Sequence, residues 1–379
     1  MFQRVTLPFI ASVIVVACSG VEPIPIYTPE GFGLGLSGAA FSPSGQLAAV
    51  ANFNTLWILD TVSMKKLMSF SGFYRFGTNN TLVFINENSI ASTAKIDDSG
   101  GEDFHAAVNI FNIRDQFSDP LVIALPELGR YAISLSHSSE TGALAVGGGN
   151  GAVVLLQPNA AGGYQKRKLP GLSGPVLDIV FSRDGEMLAA GGVHPSVPIW
   201  NTQSLHEVGS LPVNGNVYDL DLIADKKTLL VAGDELGLWK FLSEEELETI
   251  NNPSLAGDYI TVGTAVAVYT FLAILAGGQG GGLPIGGSSL EPDYGFCTRV
   301  TDVSPSGEYV VDVDSGITKE KIRVIDIASG DIIVRLNPRG GRTCGAAFNP
   351  DGTKLLIANN RVARLYDTTA WTHEDFDFN

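Results

Sequence analysis

The sequence has few charged residues, and those it has are mostly acidic, which excludes several classes of protein. Charged side chains make up 17% of the 379 residues, and Asp and Glu outnumber Lys and Arg by 40 to 24. The net charge of −16 repels phosphate backbones, so nucleic-acid binding is not expected. The apolar fraction of 45%, together with 44 glycines, is typical of an ordered, turn-rich protein rather than a disordered one.

Catalytic and metal-binding motifs are also missing. The chain has three cysteines and five scattered histidines, and none of them shows the paired spacing of a zinc site. No HExxH, His-x-x-x-His or GxSxG motif occurs. We therefore expect no cofactor and no catalytic activity, although a site assembled from distant loops would leave no local motif.

The first twenty residues have the organisation of an export signal. Arg4 precedes an apolar run over residues 5–17, which is too short for a comfortable membrane span, and the run ends in "VVAC" at Cys18. This ending resembles the lipobox of bacterial lipoproteins. The resemblance implies that residues 1–17 are removed, that Cys18 carries the lipid and that residues 18–33 form a tether. A residue other than Asp after the cysteine, here Ser19, implies the outer membrane.

Two other interpretations of this segment stay open. It is also compatible with a cleavable secretory signal that contains an incidental cysteine, or with an uncleaved anchor helix.

The rest of the chain is a repeat of three apolar strands around a tight first turn. The seven copies of this turn are FSPSG at 41–45, FINEN at 84–88, LSHSSETG at 135–142, FSRDG at 181–185, LIADKK at 222–227, VSPSG at 303–307 and FNPDG at 348–352. Their spacings are 43, 51, 46, 41, 81 and 45 residues, and all but one lie close to the period of a four-stranded propeller blade. The sequence therefore predicts an all-β, seven-bladed propeller of four-stranded antiparallel blades over residues 34–379.

The repeat resembles WD40-type propellers, most closely in "FSRDGEMLAAGG…VPIWN" and "FNPDGTKLLIANN…ARLYD". It departs from that family in lacking the usual Gly-His pair and in its degraded closing Trp-Asp. Quinoprotein-like and lactonase-like propellers have the same repeat period. Closing the ring needs an outer strand from a chain end. Either "PIPIYT" at 23–28 or "AWTHEDFDF" at 370–378 can supply that strand.

Two side-chain groups are candidates for bonds or ligands. Cys297 and Cys344 fall at the start of the innermost strands of adjacent blades, where a disulfide between blades and two separate buried thiols are equal alternatives. The loop at 95–105 is rich in acids that could bind Ca²⁺, although a solvated acidic loop is the simpler interpretation. The candidate metal ligands in that loop are Asp97, Asp98, Glu102 and Asp103.

The one long spacing reflects an insertion in blade 5, at 251–293. It contains an uncharged, Gly-rich stretch of 32 residues at 259–290. Either its first part, 259–269, is the outer strand of blade 5, or the stretch docks on a partner, or it enters lipid. The residues predicted to make such a contact are Phe271, Leu272, Ile274, Leu275, Leu283 and Ile285.

Together these features predict a non-catalytic outer-membrane lipoprotein, lipid-anchored and either periplasm-facing or exposed at the surface. We expect it to act as an interaction scaffold in a cell-envelope complex. Its expected partners are other envelope proteins or copies of itself, and the membrane. The alternatives are a lactonase-like or quinoprotein-like propeller enzyme that uses acids at the channel mouth, and a small-ligand or glycan binder.

Overall fold

The structure is a computed structural model of the chain. The structure describes residues 24–25, 36, 38–52, 54–71, 81–97, 104–213, 215–223, 228–233, 236–240, 249–250, 299–314, 321–336, 343–359, 362–369 and 371.

These residues form seven four-stranded antiparallel sheets, which confirms the predicted propeller. Blade 1 consists of β2 (Ala39–Phe41), β3 (Leu47–Ala51), β4 (Thr55–Asp60) and β5 (Lys66–Ser71). Blade 2 consists of β6 (Leu82–Asn86), β7 (Ser89–Asp97), β8 (Phe104–Asn112) and β9 (Leu121–Ala124). Blade 3 consists of β10 (Ala132–His137), β11 (Leu144–Gly148), β12 (Val153–Pro158) and β13 (Tyr164–Leu169). Blade 4 consists of β14 (Val176–Phe181), β15 (Met187–Gly192), β16 (Ser196–Asn201) and β17 (Glu207–Pro212).

The remaining three blades follow the same order. Blade 5 consists of β18 (Val217–Leu222), β19 (Thr228–Gly233), β20 (Leu236–Lys240) and β21 (Thr249–Ile250). Blade 6 consists of β22 (Arg299–Val303), β23 (Tyr309–Asp314), β24 (Lys321–Asp326) and β25 (Ile332–Leu336). Blade 7 consists of β26 (Thr343–Phe348), β27 (Lys354–Asn359), β28 (Ala363–Asp367) and the N-terminal strand β1 (Ile24–Pro25). A short 3-10 helix, η1 (Pro126–Leu128), links blades 2 and 3.

The ring closes through the N-terminal segment rather than the C-terminal tail. Strand β1 lies outside β28, and Ile24 is opposite Leu365 in an antiparallel pair. The innermost strands of neighbouring blades contact one another around the whole ring, and β26 returns to β2. Of the two segments that could supply the closing strand, the structure therefore selects the one that contains "PIPIYT".

The hydrophobic core is divided into seven clusters, one in each seam between adjacent blades. The middle strands of each blade are buried on both faces, so they are continuous apolar runs such as "LAAVA" and "LAVGG" rather than alternating ones. This double burial explains why the strands were recognisable as short apolar runs bounded by turns.

The repeated first turn has a conformational reason for its glycine. Gly45, Gly185, Gly307 and Gly352 all have φ between 70° and 76°, where a Cβ is disfavoured. At Gly185 a Cβ would also lie 2.4 Å from Ser138 Oγ of the neighbouring blade. The turns are therefore fixed by backbone conformation and by packing between blades.

Antiparallel order gives the ring two different faces. We call the face with the first–second and third–fourth strand turns, such as 42–45 and 61–65, the turn face. The opposite face, which we call the crossover face, has the second–third strand turns and the connections from one blade to the next. Each strand crosses from one face to the other.

The outer strand of blade 5 differs from one of the expectations. Strand β21 at Thr249–Ile250 pairs with β20, with Ile250 opposite Leu238. The interpretation of 259–269 as this outer strand was therefore wrong, because the position is already filled by residues that precede it. The insertion at 251–293 lies outside the described residues.

Candidate functional site: the channel wall of blades 4 to 7

Aspartates lie on the channel-lining strands of three consecutive blades. Asp178 is on β14, Asp219 and Asp221 are on β18, and Asp302 is on β22. Asp178 and Asp219 are 3% and 2% exposed, and the other two are partly buried. Buried carboxylates at this density need partners, because desolvating an unpaired charge is costly.

Each of these carboxylates accepts a backbone N–H from the innermost strand of the next blade. The Oδ2 atoms of the four aspartates serve as acceptors at distances of 2.5–2.7 Å. The donor–acceptor pairs are Leu220 N with Asp178, Thr301 N with Asp219, Val303 N with Asp221, and Phe348 N with Asp302. The series joins blade 4 to 5, blade 5 to 6 twice, and blade 6 to 7. Its first role is therefore to hold neighbouring blades in register.

The crowding changes the acidity of these groups. Burial, followed by the charge of Asp219, raises the pKa of Asp178 well above its usual value. Burial also raises the pKa of Asp221 to about 7. The pKa of Asp302 is raised well above its usual value by burial and then by the charge of Asp221. Asp178, Asp221 and Asp302 therefore hold a proton to higher pH than an exposed aspartate does.

A buried ion triad lies beside these aspartates, in the seam between blades 5 and 6. Asp312 on β23 accepts Arg299 Nε at 2.8 Å and also pairs with Arg323 Nη2. Arg299 Nη1 donates to the Gly233 carbonyl of blade 5 at 2.9 Å. Burial alone would raise the pKa of Asp312, but the two guanidinium groups outweigh it and the pKa is lowered. All three side chains are at least nine-tenths buried, and the group has a net positive charge.

The triad is not fully satisfied in the described part of the chain. Arg323 Nε is buried and has no hydrogen-bond partner there. Two arginines share one carboxylate, so the second guanidinium is less well compensated than the first. The incompletely paired triad lies at the crossover-face end of the seam, where blade 5 connects to blade 6.

In the described ranges, no group of three or more His, Cys, Asp or Glu side chains could hold a metal ion. The channel aspartates do not form such a group, because their Oδ2 atoms point at backbone amides of the next strand rather than at a common point. Likewise, no helix in the described ranges is long and apolar enough to cross a membrane.

Most residues predicted as site residues lie outside the described residues. These are Cys18, Cys297, the loop acids Asp98, Glu102 and Asp103, and the insertion residues Phe271, Leu272, Ile274, Leu275, Leu283 and Ile285. Asp97 is placed at the end of β7, opposite Phe104, but its side chain is not among those described.

Cys344 is the exception among the predicted site residues. It lies on the innermost strand β26, is 2% exposed, and forms a disulfide bond. Its partner is one of the two cysteines outside the described residues, so pairing with Cys297 stays a prediction.

Sequence reasoning missed both the channel aspartates and the ion triad. A signal was present, since the first strands "VLDIVF", "VYDLDL" and "RVTDV" place Asp within otherwise apolar runs. Such a residue in a buried strand indicates a polar partner across a seam. The partner itself could not be identified, because it is a backbone amide of another blade.

Comparison with known proteins gives one family match. The family model described as WD domain, G-beta repeat, matches residues 163–201. This range runs from the outer strand of blade 3 through the first three strands of blade 4, and it includes the copy "FSRDGEMLAAGG…VPIWN". No curated protein matches the chain. The chain is therefore a seven-bladed β-propeller that contains a WD40-type repeat.

Proposed function

We propose that this protein is a non-catalytic interaction scaffold, held as a lipoprotein at the bacterial outer membrane and working within a cell-envelope complex. The main observation in favour of a non-catalytic role is that the channel aspartates are already hydrogen-bonded. All four accept backbone amides of the next blade, so the acids best placed for chemistry already hold the ring together. WD40-type propellers commonly mediate protein interactions, and a rigid ring presents its loops in fixed positions.

The compartment is supported by two observations. The apolar run at 5–17 followed by Cys18 has the form of a lipoprotein signal. The disulfide bond of Cys344 fits an oxidising compartment such as the periplasm.

The test is crosslinking in intact cells, followed by capture of the full chain. We expect one reproducible partner, and we expect it to be lost when residues 257–288 are deleted while the melting curve of the purified ring is unchanged. A capture pattern identical for the two chains would exclude the insertion as the contact. Release of the Cys18→Ser variant into the soluble fraction would support the lipid anchor. Retention of this variant in the membrane fraction, after confirmed signal cleavage, would contradict the anchor.

One observation favours a second candidate, a propeller enzyme with acids in the channel. The pKa of Asp221 is raised to about 7 by burial, as is typical of general acids and bases, and Asp221 is only partly buried. Stoichiometric Ca²⁺ or a quinone in the purified protein would favour this alternative and overturn the scaffold.

A further inference from the structure

The exposed apolar side chains of the described residues are unevenly distributed around the ring. Six large ones are exposed, and five of them belong to blades 1 and 2. They are Val62 (86% exposed), Leu67 (52%), Phe117 (89%), Leu121 (46%) and Val122 (47%), whereas Val208 (41%) on blade 4 stands alone. A cluster of this kind on one edge of a protein commonly marks a binding surface.

The two most exposed side chains lie at the tips of turns on the turn face. Val62 is in the third–fourth strand turn of blade 1, and Phe117 is in the corresponding loop of blade 2. The turn of blade 1 is held by Asp60, whose Oδ1 accepts both the N–H and the hydroxyl of Ser63 at 2.7 Å. In the loop of blade 2, Asp115 accepts Phe117 N at 3.1 Å. Both apolar side chains are therefore held outward by ordered turns.

In blades 4 and 6 the same turn places no large apolar residue at this point. The position of Val62 in "DTVSM" is taken by Gln203 in "NTQSL" of blade 4 and by Ala328 in "DIASG" of blade 6. The repeat itself therefore does not require an apolar residue here, and Val62 needs another explanation.

The N-terminal chain reaches the ring at the same face, on blade 7, which adjoins blade 1. Strand β1 runs antiparallel to β28, with Ile24 opposite Leu365 and Pro25 opposite Arg364. Ile24, the first residue of β1, therefore lies toward the end of blade 7 where β28 runs into its turn, which is the turn face. Blade 7 adjoins blade 1 there, since Lys354 Nζ contacts the carbonyl of Thr61 at 3.4 Å.

The length of this chain limits how far the ring can stand from its anchor. Ile24 is six positions after Cys18, and even a fully extended chain spans only about 20 Å over that distance. A lipid on Cys18 thus holds the rim of blade 7 near the membrane surface, together with the exposed turns of blades 1 and 2. The exposed Lys65 and Lys66 beside Val62 suit anionic headgroups.

We propose that the turn-face edge of blades 1 and 2 lies against the lipid surface, with the side chains of Val62 and Phe117 inserted into the interface. Aromatic and aliphatic side chains on a polar surface insert in this way. This inference rests on the proposed lipid anchor at Cys18, and it adds which edge of the ring faces the membrane.

The two described strands that flank the insertion meet it on the face opposite that membrane. Strand β21 ends at Ile250 and β22 begins at Arg299, and both of these ends lie at the crossover face. The connection between them therefore starts and finishes on the side opposite the anchor. Of the two contacts considered for the insertion, this arrangement favours a partner over the lipid layer that holds Cys18.

The test is fluorescence quenching in the anchored full-length protein. Val62→Trp and Phe117→Trp are each reconstituted into vesicles of phosphatidylethanolamine and phosphatidylglycerol with brominated acyl chains. Asn54→Trp is the matched control, because Asn54 is an exposed turn residue of blade 1 on the crossover face. Three of the four native tryptophans, Trp57, Trp200 and Trp371, are buried, and the wild-type signal is subtracted.

We expect the tryptophans at 62 and 117 to be quenched at least about twofold more than the one at 54. Equal quenching at all three positions, or none at 62 and 117, would overturn the orientation. The anchor is tested separately by co-sedimentation of the wild type and of Cys18→Ser with membranes. If the wild type does not sediment with membranes, the lipid anchor is refuted. If it sediments but the tryptophans at 62 and 117 are not quenched, only the proposed orientation is refuted. Unchanged melting temperatures show that the tryptophan variants are folded.

Discussion

At the scale of single residues, the channel aspartates make the stability of the ring depend on pH. The raised pKa values of Asp178, Asp221 and Asp302 mean that the folded state binds more protons than the unfolded state above about pH 4. The stability contributed by these protons is fully present below the unfolded pKa of 3.8. It is lost as pH rises through the folded values, at about 7 for Asp221.

We expect Asp221→Asn to remove part of this pH dependence. The asparagine oxygen can still accept Val303 N–H, and the substitution removes one of two neighbouring carboxylates that repel each other. The variant should match the wild type near pH 4 and exceed its free energy of unfolding by ~1 kcal/mol or more at pH 8, measured by urea denaturation. Asp351→Asn is the control, because hydrogen bonds from Thr353 lower the pKa of this exposed group, and it should gain nothing at pH 8. Parallel stability curves for Asp221→Asn and the wild type would contradict the assignment.

The ion triad gives a second prediction at this scale. Asp312→Ala leaves two buried guanidinium groups without a carboxylate, so we expect a loss of about 3–5 kcal/mol. Arg323→Met leaves the Arg299–Asp312 pair balanced and should cost clearly less, since Arg323 Nε already lacks a partner in the described part of the chain. Chemical denaturation of the two variants checks the order. Equal losses of unfolding free energy in the two variants would show that the charge of Arg323 is as well paired as that of Arg299.

At the scale of secondary-structure elements, the short strand β1 completes blade 7. Deleting residues 20–28 should expose β28 as an unpaired edge and lower the free energy of unfolding by ~2 kcal/mol or more, because ladder hydrogen bonds and apolar burial are lost. Deleting 372–379, which belongs to the segment that was the other candidate for closing the ring, should change stability little. Denaturant unfolding of the two deletion variants measures these losses. A larger loss for the deletion of 372–379 would contradict ring closure by β1.

The elements themselves were largely predictable, and their cross-blade partners were not. All seven third strands, such as "LWILD" and "VPIWN", and the first turns of the six blades in which that turn is described fall where the repeat predicts them. The outer strand of blade 5 was misplaced, because the two-residue β21 has no pattern that a sequence could show. A strand of that length is defined by its neighbour β20 and not by its own residues.

At the scale of the whole molecule, Cys344 ties the last blade to a distant part of the chain. Reduction should lower the free energy of unfolding by about 2–4 kcal/mol, as expected for a long closed loop. Cys344→Ser should show the same loss without any further effect of reductant. Of Cys297→Ser and Cys18→Ser, only the variant at the true partner should behave in the same way. An unchanged stability on reduction would exclude a structural role for the bond.

The sequence by itself determined the number of blades, the order of their strands and the turns between them, because these follow from local conformational preference and apolar periodicity. Only the tertiary structure decided which chain end closes the ring, that the aspartates of β14, β18 and β22 bind amides of the next blade, and that Arg299 and Arg323 share Asp312. It also decided on which face Val62 and Phe117 lie with respect to β1. These contacts join residues of different strands or different blades, and a contact of that kind exists only once the ring has brought its blades together.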